Sequence, residues 1–183
     1  MKITDKDYIG QGRQKVVYRH PENSDLCIKF AKLDKKRSLG AFKREIWYIC
    51  KHQANIDFIN HYRGRLETNL GTGYLFDLII NEDSSISKPL DAYDRKLDGL
   101  ESKVARIYET LLQEKAPVSE FESCNVLVKE MLNGDYELIL IDGLGNSDFI
   151  KICDYSRYFL KLKLNRKFSE FCKKHSISPS FLK

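Results

Sequence analysis

The chain has 183 residues, of which 42% are hydrophobic and 31% are charged. This composition excludes a disordered, collagen-like or low-complexity chain, and a chain of this length buries about 70% of its unfolded surface, enough for one domain with its own core. The formal net charge of +5 is concentrated at the C-terminal end, since residues 151–183 hold nine basic and two acidic residues. The body of the chain is therefore not predicted to be a general binder of polyanions.

The sequence shows neither the pattern of a targeting segment nor that of a paired cysteine motif. The first seven residues are charged and lack the apolar stretch of a secretory signal, and no apolar run approaches the length of a membrane span. The five cysteines lie far apart and form no Cys-x-x-Cys pair, which argues against a disulfide framework or a zinc site. These features predict a cytoplasmic protein with reduced thiols.

The first half of the chain predicts mostly strands. Residues 8–30 predict strands around a glycine turn. Residues 38–53 have apolar residues at helical spacing and predict a helix. Residues 74–80 form a nearly uninterrupted apolar run that predicts a central strand. Residues 81–89 are polar and predict a linker.

The second half predicts helices around one hairpin. Residues 97–111 have the apolar spacing of a long helix, and the Asn133-Gly134-Asp135 turn between two apolar runs predicts a hairpin. Residues 154–175 predict a helix in two pieces, because the phase of the apolar residues slips near Asn165. This order of elements favours an α+β fold over an alternating α/β fold.

Two short patterns in the first half suggest phosphate chemistry. Gly10 and Gly12 lie between β-like segments, where glycines allow backbone N–H groups to approach phosphates, although a plain hairpin turn explains them as well. Lys29 lies inside an apolar strand, and Glu45 lies at the margin of the apolar stripe of the following helix. If both are buried they would pair and leave an ordered ammonium group available to phosphate oxygens. The alternative is a surface lysine and a surface glutamate.

A third pattern suggests a cation site. Asp142 follows an apolar strand and precedes Gly143, so its carboxylate would lie at the strand end, where it is well placed to hold Mg²⁺. Asn125 begins the partner strand of the same hairpin, so both oxygen ligands would emerge at one end. The alternative is an ordinary Asp-Gly turn that ends the strand.

Taken in order, these parts resemble the protein-kinase-like superfamily and, more narrowly, the small bacterial YrbL family of PhoP regulatory network proteins. The resemblance covers roughly residues 8–150, and it is closest in residues 9–29 and 141–146. It implies a two-lobed fold in a single domain, with a strand-rich N-lobe at 1–80, a hinge, helix and catalytic/metal hairpin at 81–150, and a reduced helical C-lobe that ends in a basic helical tail at 151–183.

The resemblance also implies roles for individual residues. Gly10 and Gly12 would cover the phosphates of ATP, and Lys29 would contact them while paired to Glu45. Phe76, Ile79 and Ile80 would line the adenine pocket. Asn125 and Asp142 would hold Mg²⁺.

The sequence departs from the kinase pattern in the catalytic loop. Val118, Ser119 and Glu120 stand where His, Arg and Asp are expected, and Glu120 would be the base that accepts a hydroxyl proton. Lys15 stands where the third glycine is expected, and Glu122 where many kinases have a lysine. No Ala-Pro-Glu segment follows Asp142. Nucleotide binding is therefore a safer expectation than phosphotransfer.

The expected function is binding of Mg-ATP in a cleft between the lobes, with phosphotransfer to an unidentified acceptor. One alternative is a pseudokinase that uses the nucleotide as a switch. The other is a non-enzymatic regulatory protein that binds a partner through its basic C-terminal helices.

The tail alternates basic residues with Tyr158, Phe159, Phe168 and Phe171. This pattern is compatible with an amphipathic helix on anionic lipid or with a nucleic-acid patch. The simpler interpretation is a solvated basic face on a helix that packs through its aromatic residues.

Overall fold

The computed structural model describes residues 1–32, 36–94, 97–148 and 150–182, with the backbone alone at 36–38. The first half contains β1 (Tyr8–Gln11), β2 (Lys15–Arg19), β3 (Leu26–Ala31), α1 (Lys36–His52), β4 (Tyr62–Thr68) and β5 (Gly71–Asp77). The second half contains β6 (Lys88–Pro89), α2 (Leu100–Gln113), β7 (Val126–Glu130), β8 (Tyr136–Leu140), α3 (Ile152–Tyr155) and α4 (Arg157–His175).

The first sheet has five antiparallel strands in the order β1-β2-β3-β5-β4. β3 lies at its centre and is the most buried strand, with Cys27, Ile28, Lys29 and Phe30 all buried. α1 packs against the sheet through Phe42, whose ring stacks on that of Phe76 from β5. The side chain of residue 29 is thereby held in the interior between the sheet and the rest of the molecule.

The second sheet is smaller, with three antiparallel strands in the order β6-β7-β8. It is tied to the first half by main-chain hydrogen bonds, because Asn60 N donates to Leu140 O and Leu140 N donates to Phe58 O. The predicted hairpin at Asn133-Gly134 is confirmed, and Gly134 adopts φ +84° in the turn. The main apolar core runs through both sheets and the four described α-helices, and a smaller cluster of Ile3, Ile28 and Phe30 lies apart from it.

The C-terminal helix α4 packs on α2 and on the loop before β7. The ring of Phe168 stacks on Phe121 at a centroid distance of 4.2 Å, and the hydroxyl of Tyr108 donates to Asn165 at 2.6 Å. The expected helix of residues 97–111 is present as α2, and all six apolar residues that predicted it are buried. No helix in the described ranges combines the length and the apolar character needed to cross a bilayer.

Three secondary-structure predictions need correction. The sequence analysis did not predict β4, although Tyr62, Gly64 and Leu66 alternate with charged residues, which is a pattern typical of a strand. The strand predicted at 74–80 ends at Asp77, because the chain leaves the sheet there to cross to β6. The remaining correction concerns the C-terminal helices.

The break in the C-terminal helix falls at Ser156 and not near Asn165. α4 runs without interruption through Asn165. Tyr158 and Phe159 at its start are exposed, so they do not belong to the face that packs against the core. The apparent slip in phase therefore came from comparing exposed with buried residues. The prediction of an α+β architecture, with antiparallel sheet and several helices, is confirmed.

Candidate functional site

Lys29 is buried in the centre of the first sheet, with 5% of its surface exposed. Its Nζ donates to the carbonyl oxygen of Ile141 at 2.9 Å and lies 4.3 Å from the centre of the Phe76 ring. Burial is the main reason that the pKa of Lys29 lies below its usual value. The alternative of a surface lysine is wrong.

Lys15, the first residue of β2, supplies a second buried cation. Its Nζ forms an ion pair with Glu45 of α1 and a further one with Oδ1 of Asp142 at 2.8 Å. The same atom lies 4.7 Å from the centre of the Phe42 ring. β2, α1 and the turn after β8 are distant in sequence, but they meet at this ammonium group.

The predicted pairing of Lys29 with Glu45 is corrected by this geometry. Glu45 is buried as expected, but Lys15 is its partner. In the register of β2 and β3, Val17 lies opposite Lys29 and Lys15 lies opposite Ala31. Because alternate residues of a strand share a face, Lys15 and Lys29 project from the same face of the sheet. The sequence analysis did not assign the register of β2 and β3, and it therefore missed Lys15 as the partner of Glu45.

The pKa values of the Glu45 and Asp142 carboxyl groups are shifted in opposite directions. Burial raises the pKa of Glu45 to about 7, because the favourable charge of Lys15 is outweighed by burial and by Asp142. Burial also works against ionisation of Asp142, but Lys15 and a hydrogen bond with Glu45 lower its pKa to about 2. Burial opposes the charge of Lys15 as well, and Glu45 and Asp142 together raise its pKa. Asp142 is thus the permanent anion of the cluster, and Glu45 is the group that changes its charge near neutral pH.

Asp142 is held at a sharp turn directly after β8. Gly143 N donates to Asp142 Oδ1 at 2.7 Å, and Gly143 adopts φ +89°. A Cβ at Gly143 would lie 2.3 Å from the carbonyl oxygen of Glu120, so only glycine fits this position. The Asp142 side chain remains 39% exposed, which leaves part of the carboxylate open to a ligand.

The loop that carries Glu120 is fixed against the Asp142 turn. Ser119 N donates to Gly143 O at 2.8 Å, and Val118 pairs with Leu144 as an antiparallel bridge. Glu120 itself is exposed on this loop. The two segments that the sequence analysis joined by resemblance are therefore adjacent in the structure.

Asn125 ends the 3₁₀ turn of Ser123–Asn125 immediately before β7. Its carbonyl oxygen accepts a hydrogen bond from Ile141 N at 2.9 Å, so its main chain lies beside the residue that precedes Asp142. The expectation that Asn125 and Asp142 lie at one end of the hairpin is met for the main chain. Coordination of a metal by both side chains stays a prediction.

The glycine segment forms the turn between β1 and β2. Gly10 lies opposite Val17 in the sheet, and Gly12 N donates to Lys15 O at 2.9 Å. A Cβ at Gly10 or Gly12 would meet nothing within 4 Å, so neither packing contacts nor a positive φ requires glycine at these two positions. The contact of these residues with phosphates stays a prediction.

The residues expected at the adenine pocket separate into two environments. Phe76 is fully buried beside Lys29, between Phe42 and Tyr62. Ile79 and Ile80 border a surface cleft of about 420 Å³ whose walls come mainly from the start of β4, the segment after β5, and β8. The residues of the ion-pair cluster do not line that cleft, so a contact of these two isoleucines with adenine stays a prediction.

The donor set of the cluster is compatible with Mg²⁺. The described residues contain no group of three His, Cys, Asp or Glu side chains arranged as a protein-only metal site. Mg²⁺ commonly takes one or two carboxylates from the protein and its other ligands from phosphates and water. An ionised, partly open Asp142 beside Asn125 fits that pattern.

Comparisons with known proteins agree with the narrower part of the resemblance, the YrbL family. Residues 1–176 match the profile of the family described as "PhoP regulatory network protein YrbL". Proteins named "Uncharacterized protein YrbL" from Escherichia coli (strain K12) and from Shigella flexneri are each 22% identical to this chain over 180 residues. These alignments cover 93% of this chain and 86% of each relative.

Proposed function

The chain belongs to the YrbL family of PhoP regulatory network proteins, and from this premise we propose that it is a kinase-like protein that binds Mg-ATP at the Lys15–Glu45–Asp142 cluster. One observation carries the proposal. Two buried lysines, Lys15 and Lys29, converge on the turn that presents an ionised and partly exposed Asp142. Burying two cations beside carboxylates carries a large desolvation penalty, and clusters of this kind are concentrated at binding and catalytic sites.

The order of the elements supports the same proposal. A five-stranded antiparallel sheet carries one helix after its third strand, and Glu45 of that helix points into the cluster. A linker then leads to α2 and to the β7–β8 hairpin, which is flanked by Asn125 and Asp142. This is the order in which a protein kinase supplies its phosphate and metal ligands.

Each charged group has a distinct role in the proposal. Lys15 and Lys29 neutralise phosphate oxygens, and Gly10 and Gly12 cover the phosphates from the β1–β2 turn. Asp142 and Asn125 hold Mg²⁺, which neutralises charge on the phosphates. When ATP is bound, its phosphates take over from Asp142 as the main anionic partner of Lys15.

Phosphotransfer is a further step of this proposal. Glu120 is exposed on the loop that hydrogen bonds to the Asp142 turn, where a hydroxyl acceptor would approach. Its carboxylate would accept the proton of that hydroxyl as the γ-phosphoryl group leaves ADP. If Glu120 does not act in this way, the same cluster serves a pseudokinase that changes its partners on binding nucleotide.

The test is thermal unfolding of the purified protein with and without Mg-ATP. A ligand at 100 times its dissociation constant adds about 2.7 kcal/mol to the free energy of unfolding, which corresponds to a rise in Tm of roughly 5–10 °C for a chain of this size. We expect this rise to require Mg²⁺ and to disappear in Asp142→Asn. Lys15→Ala and Lys29→Ala should each weaken nucleotide binding.

Asp135→Asn is the matched control, because Asp135 is 57% exposed and pairs with Lys103 at the opposite end of the β7–β8 hairpin from Asp142. It should keep the full rise in Tm. An absence of any shift at saturating Mg-ATP would refute the proposal and favour a regulatory protein that binds no nucleotide. If nucleotide binds, release of ADP by wild type but not by Glu120→Gln would support phosphotransfer.

A further inference from the structure

An exposed apolar patch surrounds the turn between α3 and α4. Half of the twelve large hydrophobic residues exposed in the described ranges lie within 13 consecutive positions at this turn. We call this patch the α3–α4 elbow, and it consists of Ile150, Ile152, Tyr155, Tyr158, Phe159 and Leu162. Tyr155 is 90% exposed and Tyr158 67% exposed, so these side chains cover no core residue. A concentration of this kind marks an interaction surface.

The patch divides the aromatic residues of the tail into two groups. Phe168 and Phe171 are buried and pack against Phe121. Tyr158 and Phe159 lie at least about two and a half turns nearer the start of α4 and face solvent. The interpretation that the helix packs through its aromatic residues is therefore right for Phe168 and Phe171 only.

Basic residues border the elbow. Arg157 and Arg166 are exposed on α4, Lys161 is half-buried between them, and no ion pair within the described part of the chain engages these three. Asp154 is the single acidic residue between positions 150 and 166. Its carboxylate already accepts hydrogen bonds from Tyr48 at 2.5 Å and from Asn146 at 3.2 Å.

Trp47 of α1 is linked to the elbow through its neighbour Tyr48. It is 57% exposed, its ring contacts that of Tyr48 at a centroid distance of 4.8 Å, and Tyr48 is the residue that donates to Asp154. Lys51 Nζ lies 5.4 Å from the centre of the Trp47 ring. The elbow thus combines exposed aromatic and aliphatic side chains with neighbouring cations, and Trp47 and Lys51 lie on the helix that hydrogen bonds to α3.

We propose that the α3–α4 elbow docks this protein on the surface of a lipid bilayer that contains anionic lipids. Tyr, Trp and aliphatic side chains enter the boundary between head groups and acyl chains, while Arg and Lys contact the anionic head groups. The aliphatic residues Ile150, Ile152 and Leu162 favour lipid over nucleic acid, because they offer neither base stacking nor hydrogen bonds. The buried side of α4 stays in the core, so docking requires no unfolding.

The experiment uses the full-length chain with vesicles of phosphatidylcholine alone or with phosphatidylglycerol. Trp47 is the chain's only tryptophan, so its fluorescence reports on this surface directly. We expect a blue shift and co-sedimentation with the anionic vesicles alone, both reduced by high salt. Lipid carrying a quencher in its acyl chain should quench Trp47.

Two double variants separate the apolar from the electrostatic contribution. Tyr158→Ser with Leu162→Ser should reduce vesicle binding at least tenfold. Arg157→Gln with Arg166→Gln should weaken it by roughly 25-fold, about fivefold for each cation removed. All four positions tolerate substitution, since Arg157, Tyr158 and Arg166 are exposed and Leu162 is 48% exposed; circular dichroism verifies that each variant is folded.

The controls change the same residue types on other surfaces. Leu70→Ser with Leu132→Ser, and Lys2→Gln with Lys6→Gln, should bind vesicles as the wild type does, because all four residues are exposed elsewhere. An absence of vesicle binding overturns the proposal, and so does binding that every variant retains. Loss of binding in the arginine variant alone, with equal competition by a single-stranded oligonucleotide, overturns it in favour of a general polyanion surface. Nucleotide binding is not involved in any of these outcomes.

Discussion

Glu45 is the residue at which burial and charge are most finely opposed. Its carboxyl group is almost inaccessible to solvent, and its pKa is raised to about 7 mainly by that burial. A carboxyl group with a raised pKa binds a proton more tightly in the folded state than in the unfolded state. Its contribution to stability is therefore complete below the unfolded pKa of about 4.5 and is lost as the pH rises through about 7.

The corresponding prediction compares wild type with Glu45→Gln, whose amide does not titrate. The stability of wild type relative to the variant should be about 1–2 kcal/mol greater at pH 5 than at pH 7. Urea unfolding at the two pH values measures this difference. Glu137→Gln controls for the loss of a carboxylate, because the Glu137 side chain is 45% exposed and pairs with Lys129. Equal stability differences between wild type and Glu45→Gln at both pH values would show that Glu45 does not bind this proton.

Gly143 and Gly134 offer a matched test of the Asp142 turn. Both adopt a positive φ, but a Cβ at Gly134 would meet nothing, whereas one at Gly143 would collide with the backbone of Glu120. Gly134→Ala should cost about 1 kcal/mol of unfolding free energy, and Gly143→Ala at least about 2 kcal/mol more. Chemical denaturation of both variants measures this. Equal costs would mean that the loop at Glu120 moves freely away from the turn.

At the scale of elements, α4 has two different surfaces along its length. Phe168 is completely buried against Phe121, whereas Phe159 on the same helix is 41% exposed. The same amino acid therefore has different energetic weight at the two positions. Exposure, and not hydrophobicity, distinguishes the packing part of this helix from the elbow.

Alanine substitution at these two positions makes that difference measurable. Phe168→Ala should lower the free energy of unfolding by about 3–5 kcal/mol, because it leaves a cavity between α2 and α4. Phe159→Ala should lower it by less than about 1 kcal/mol. Similar losses in denaturant unfolding would indicate that the first turns of α4 also pack against the core.

At the scale of the whole molecule, the two sheets form one cooperative unit. The apolar core extends from Phe42 beside the first sheet to Phe168 of α4, and main-chain hydrogen bonds join Asn60 and Phe58 to β8. Lys15 and Lys29 add polar contacts between the sheet and the Asp142 turn. Separation of the two halves would expose this core and would leave the buried charges without their partners.

Unfolding should therefore occur in a single transition. Fluorescence of Trp47 reports on α1, and far-ultraviolet circular dichroism reports on all the helices, so the two thermal midpoints should agree within about 1 °C. Two separated transitions would show that the first sheet unfolds independently of α2 and α4.

The sequence alone predicted the parts of the fold that depend on local patterns. The spacing of apolar residues identified α1 and α2, the Asn-Gly turn identified the β7–β8 hairpin, and the interruption of an apolar strand by Lys29 identified a buried cation. For Lys29 the sequence indicated a candidate buried cation and left a surface position open. The other features depend on residues close together in the chain, where periodicity and turn chemistry are informative.

Only the tertiary structure decided which charged groups meet and which apolar groups stay exposed. Lys15 displaced Lys29 as the partner of Glu45 because the register of β2 against β3 places both lysines on one face of the sheet. Tyr158 and Phe159 resemble the buried aromatic residues of α4 in sequence, but no neighbouring element covers them. Pairing of charges and covering of surface depend on contacts between segments that are distant in sequence, and local periodicity carries no information about those contacts.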